Sequence, residues 1–313
     1  MNSFGDPNLS PEITPASNPP RSGDIFMGPN GLRAGWRMSI YIVLVVGIFE
    51  ALRGLLRHVP FFVHAVGGIE TGQLAPLGLI LSEAAVAIVV LASAAIMSAI
   101  EERSFGAYGM PLRQAFGKSF WQGMIWGVAE VSLLVGLIAV ARGYSFGTLA
   151  LAGSEIYTNG FLWLVGFFIV AIFEEFAFRG YLQYTLGSGI GFWWSAAILS
   201  ALFGGVHLRN HGEGIVGALS VFTIAMFFCL TLRRTGTLWF AIGMHCSFDW
   251  GETYLYSVPN SGTTTAGTLP HSTLHGPRWI TGGTVGPEGS LFCFLSMILL
   301  FLVFDRKYPA KQK

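Results

Sequence analysis

The sequence predicts an all-α, polytopic membrane bundle of about eight transmembrane helices around a polar intramembrane cavity. Three observations predict it. The 313 residues are 52% apolar and 11% charged, with a mean hydropathy of +0.58, whereas a soluble domain averages about 25% charged. The apolar residues gather in runs of about 20, the length that crosses a hydrocarbon core of about 30 Å. Ionisable side chains nevertheless recur inside those runs. Each costs about 2.5–3.5 kcal/mol at bilayer depth on insertion scales, so their recurrence marks a polar interior.

Residues 1–36 are rich in Pro, Ser, Asn and Gly and read as a disordered cytoplasmic tail without a cleavable signal segment. Residues 37–306 read as one transmembrane domain. The predicted spans are 37–58, 76–99, 119–142, 160–186, 192–208, 214–232, 236–255 and 289–304. The fifth and seventh are the weakest, because Gly, His and Asp interrupt them. No internal repeat is visible, which counts against a transporter built from duplicated halves. Placing both termini in the cytoplasm puts thirteen of the 18 Lys and Arg inside. Only Arg53, Arg57, Arg142, Arg209 and Arg278 then lie outside, and that bias sets the orientation of a multi-pass cell-membrane protein. The loop over 257–290 holds seven Gly and four Pro, so no regular helix is predicted there.

A net charge of +1 without a basic run excludes nucleic-acid binding. Cys229, Cys246 and Cys293 are odd in number and lack CxxC spacing, which argues against a disulfide framework or a thiolate metal site.

Each ionisable residue in a span needs a reason. Glu50 lies one helical turn from Arg53 and reads as a salt-bridged helix end. Glu83 and Glu130 stand alone in their helices, and both cross-bundle hydrogen bonding and a functional role remain open. Glu175 and Arg179 are four apart and can neutralise each other. Glu174 points about 100° away around the same helix, unpaired within it. His207 follows Gly204 and Gly205, which allow close approach of a neighbouring helix. His245 and Asp249, four apart, face the same way. Two histidines and a spare carboxylate on three helices point to one shared site. At about 1.5 Å rise per residue, Glu174, His207 and His245 reach similar depths only if the helix runs unbroken past Arg179 to Leu186.

Three motifs occur in order: EExxxR followed by Gly (Glu174, Glu175, Arg179, Gly180), FxxxH (Phe203, His207) and HxxxD (His245, Asp249). Over about 160–255 the chain resembles the CPBP intramembrane protease family, which includes CAAX prenyl proteases and bacteriocin-processing or bacteriocin-immunity proteins. The resemblance implies an intramembrane endopeptidase acting on a membrane-associated, prenylated or peptide substrate. In it Glu174 would activate water with His207, His245 and Asp249 would stabilise the oxyanion, and Glu175 and Arg179 would form a structural ion pair beside the site. Many members carry Asn where this chain has Asp249. An ionised carboxylate would repel an oxyanion, so Asp249 is protonated, orients His245 or binds something else.

Peptide hydrolysis needs a base, oxyanion donors and an acid for the leaving amine, and these residues supply that inventory. Glu174, His207 and His245 also make up a three-ligand set for a catalytic zinc with one position open for water. Direct activation by Glu and His is the slightly favoured reading. Two other classes use the same polar core: a proton-coupled transporter with these residues as a relay, and a non-catalytic binding or immunity protein.

Overall fold

The computed structural model describes residues 25–28, 31–70, 74–210 and 212–310, with the side chains of 68–70 excepted. The tail expectation for residues 1–24 lies outside the described residues, as does His211. Ordered structure starts ahead of the expected residue 37. Strand β1 (Met27–Gly28) pairs antiparallel with β2 (Gly31–Leu32), and α1 (Ala34–Leu56) follows. Aromatic contact holds the strand pair to the helix: the Phe26 and Trp36 rings lie 4.9 Å apart, and the Trp36 indole donates to the Ile25 carbonyl.

The remaining helices are α2 (Pro60–Glu70), α3 (Pro76–Ile100), α4 (Lys118–Val140), α5 (Ser154–Glu175), α6 (Leu182–Ile190), α7 (Phe192–His207), α8 (Ile215–Thr235), α9 (Trp239–Trp250), the single turn α10 (Arg278–Thr281) and α11 (Leu291–Lys307). All eight expected segments are helical, and α2 and the single turn α10, in a loop expected to hold no regular helix, are unanticipated additions. Five helical stretches are long and apolar enough to cross a membrane: Ala34–Leu56, Pro76–Ile100, Lys118–Val140, Ser154–Ile190 and Ile215–Thr235. The shorter α7, α9 and α11 are buried in the bundle or packed along it, so length alone does not carry eight spans. Glu50 and Arg53 pair at 2.6 Å on an exposed face of α1, as their spacing predicts. The three cysteines are free and buried.

The expected unbroken helix past Arg179 is corrected by the structure. Residues Phe176–Tyr181 form a π-helical segment, and Gly180 has non-helical backbone (φ −84°, ψ −111°). Such a π-bulge is a recognised cause of helix kinking. Glycine is required by close approach: a Cβ at position 180 would lie 2.8 Å from the Phe176 ring. Beyond the kink, the Tyr181 hydroxyl donates to Glu101 at 2.6 Å, and Glu101 also pairs with Arg37. This buried network ties α1, α3 and the kink together.

Helices α4 and α9 form the closest pair in the bundle. A Cβ on Gly123 would sit 2.1 Å from the Phe240 carbonyl oxygen, one on Gly127 2.2 Å from that of Met244, and one on Gly243 2.2 Å from that of Phe120. The Ser247 hydroxyl donates to the Met124 carbonyl at 2.8 Å. Small residues four apart on both helices thus let the backbones touch, the usual device of intramembrane packing, and they fix where α9 presents His245 and Asp249. Gly123→Val is expected to lower the thermal midpoint and folded yield in detergent, an overpacking cost of about 1–3 kcal/mol. A wild-type midpoint would contradict this packing.

The loop over 257–290 is an ordered roof. Its strand β4 (Thr273–Leu274) pairs antiparallel with β3 (Tyr144–Ser145) after α4. Arg278 donates to the Gly212 carbonyl at 2.8 Å, joining the roof to the α7–α8 turn.

Candidate active site

A cavity of about 370 Å³ opens among α3, α4, α5, α7, α8, α9 and the roof. Glu174, His207, His245 and Asp249, the four residues expected to share a site, all line it. They converge without the unbroken helix that their depths were expected to require, because the kink at Gly180 lies past Glu174 and leaves α5 itself straight.

His245 is the hub. Its Nδ1 lies 2.9 Å from Glu175 Oε1, and the same oxygen accepts from Arg179 Nη1 at 3.1 Å. Its Nε2 lies 3.4 Å from Asp249 Oδ2 and 3.6 Å from Glu174 Oε2. The Phe228 ring stacks on the imidazole with 5.7 Å between centroids. A carboxylate accepts, so Nδ1–H donates to Glu175 and a neutral ring would turn a bare Nε2 toward two carboxylates. A proton must therefore sit on Nε2, Glu174 or Asp249.

Glu175 and Arg179 pair as their spacing predicts, with side chains 0% and 1% exposed. The pair does more than neutralise itself, since Glu175 also fixes the tautomer and orientation of His245. The Arg179 guanidinium lies 4.4 Å from the centroid of the Phe203 ring, close enough for cation–π attraction. That accounts for the first position of FxxxH.

The second position follows from the same helix turn. His207 Nδ1 lies 2.8 Å from the Phe203 carbonyl oxygen. A carbonyl only accepts, so Nδ1 carries the proton, and a neutral His207 keeps its Nε2 lone pair for the cavity. Among the described residues no hydrogen bond joins His207 to Glu174; both line the cavity. Of the two glycines before His207, Gly204 makes the expected close approach: a Cβ there would lie 2.6 Å from the Ala218 carbonyl oxygen, while Gly205 faces open space.

Three further carboxylates line the cavity: Glu83 from α3, Glu130 from α4 and Glu288 from the roof. The signal for Glu83 and Glu130 was their isolation in apolar helices. Glu288 carried none, because an acid in a polar loop looks like any solvated residue. Ser261 holds it through backbone N–H (2.9 Å) and hydroxyl (3.0 Å), both to Oε2. Burial, with the charge of Asp249 added, pushes the Glu288 carboxyl up to about 7 against the bonds from Ser261.

Residues 156–251 match the family described as type II CAAX prenyl endopeptidase Rce1-like. Over that region the chain is similar to the Rce1-like family. The matched stretch covers about a third of the chain and contains Glu174, Glu175, Arg179, His207, His245 and Asp249. It leaves out Glu83, Glu130 and Glu288. The region thus resembles CAAX proteases, and it is set in a helical bundle with five stretches long and apolar enough to cross a membrane. A comparison with curated proteins finds none that matches.

The zinc expectation finds no ready ligand set. Among the described residues no group of three His, Cys, Asp or Glu side chains is arranged to hold a metal ion. His245 commits Nδ1 to Glu175 and turns Nε2 toward Glu174 and Asp249.

Proposed function

We propose that the chain is an intramembrane endopeptidase that hydrolyses a peptide bond in a membrane-associated substrate by direct activation of water. The observation that carries this reading is the common cavity of Glu174, His207, His245 and Asp249, within the Rce1-like region.

Glu174 takes the proton of a water held between it and the free Nε2 of His207. The water oxygen attacks the scissile carbonyl carbon, and the carbonyl electrons move onto oxygen. His245, protonated at Nε2, donates to that oxyanion. Asp249 holds the imidazolium in place, an orienting role that suits a carboxylate where many members carry Asn; Glu175 holds the opposite nitrogen. On collapse the C–N bond breaks, and the proton on Glu174 passes to the leaving amine. The Lys and Arg bias supports both termini in the cytoplasm.

Comparing new protein N-termini in membranes expressing wild type with those expressing Glu174→Gln separates the functional classes. Termini present only with wild type support the peptidase. Proton-gradient-driven uptake in proteoliposomes that Glu174→Gln abolishes, without cleavage, replaces it with a transporter. Identical membranes and no uptake leave a binding protein.

A further inference from the structure

A second cavity of about 370 Å³ lies between α1, α2 and one face of α3. Its origin is the loose seating of α1. Of the five stretches able to cross a membrane, four are 33–50% buried over their most apolar part, and α1 only 6%. Helices α1 and α2 each rest on α3 and hardly on each other. The cavity is the groove left between them. None of the described residues around it belongs to the region similar to the Rce1-like family.

The lining combines two chemistries. Phe49, Leu52, Leu56, Phe62, Val63 and Val66 form apolar walls, while Arg53 in the last turn of α1 and Arg57 at its C-cap supply charge. Arg53 donates through Nε and Nη2 to Glu50 Oε2. Arg57 donates only through Nε, to His58 Nε2 at 3.1 Å. Among the described residues no carboxylate pairs with Arg57, so its two Nη groups remain available. Two guanidiniums beside one carboxylate leave this end of the groove net positive. Walls of this bulk do not suit a further helix, because intramembrane helices pack through small residues. A flexible hydrocarbon chain fits them, and a guanidinium fork matches a phosphate.

We propose that this groove binds an anionic phospholipid, with an acyl chain between α1, α2 and α3 and the phosphate on Arg57, beside Arg53. A zwitterionic headgroup offers the same phosphate but sets its ammonium against the positive end, and that difference gives selectivity. Ser82 of α3 borders both this groove and the cavity that holds Glu174. The lipid therefore braces α1 against the helix that forms one wall of the candidate active site.

The test is native mass spectrometry of the full-length protein in detergent, titrated with phosphatidylglycerol or phosphatidylcholine of identical chains. Phosphatidylglycerol is expected to bind roughly tenfold tighter. Arg53→Gln combined with Arg57→Gln removes that preference. Both side chains are exposed, so the thermal midpoint without added lipid stays at wild type and shows the variant folded. Gly67 lines the groove, and a Cβ there meets nothing within 4 Å. Gly67→Trp therefore fills the groove and abolishes the tight binding of phosphatidylglycerol. Equal affinity for the two lipids overturns the proposal, as does a preference that survives the arginine changes or an affinity that Gly67→Trp leaves unaltered. A lipid-free dimer that Gly67→Trp disrupts overturns it in favour of a second copy of the chain.

Discussion

Glu174→Gln is expected to lower kcat/KM by about 10²–10⁴-fold, the usual contribution of a positioned base, while leaving the fold intact. The amide keeps the shape of the side chain but cannot take a proton from water. The measurement is cleavage of a membrane peptide in proteoliposomes, with the thermal midpoint recorded in parallel. Cleavage within a few-fold of wild type would remove Glu174 from the chemistry. His207→Ala is expected to act in the same direction and less strongly, since one of two flanking acceptors remains.

Arg179→Met is expected to destabilise the protein by about 3–5 kcal/mol, the cost of leaving a buried charge without its partner. The guanidinium is 1% exposed, and Glu175 opposite it is fully buried. Removing it strands a carboxylate that also holds His245 at 2.9 Å. Combining it with Glu175→Gln should restore much of the stability, because the stranded charge is gone, yet activity should stay low because the neutral amide, which still accepts from Nδ1–H, no longer balances the charge of the imidazolium. Unfolding in detergent checks the first statement and cleavage the second. Full recovery of activity in the double variant would reduce the pair to a structural one.

Much of the site was readable because its residues are expensive where they stand. Glu174, Glu175, Arg179, His207, His245 and Asp249 interrupt apolar helices, and the four-residue spacing of Glu175 with Arg179 and of His245 with Asp249 places each pair on one face. The long helices were readable for the same reason, with α1, α3 and α4 starting within three residues of expectation. Gly180 was not. Its kink depends on the Phe176 ring packing against it and on Tyr181 reaching Glu101, 80 residues away in sequence. Local pattern does not contain the second contact. The roof was hidden for a related reason: a loop rich in Gly, Pro and Thr has no periodicity to reveal that Ser261 and Glu288 meet over the cavity. The role of Glu175 in orienting His245 joins residues 70 apart in sequence and likewise required the fold.

The central claim is that side chains of this chain alone activate the water. Metal content and cleavage, measured together on detergent-purified protein before and after exhaustive chelation, test it most directly. The account predicts cleavage that persists with well under one metal ion per chain, and that Glu174→Gln abolishes. About one zinc per chain, lost with activity on chelation or in His207→Ala and His245→Ala and restored to wild type by added zinc, would contradict it.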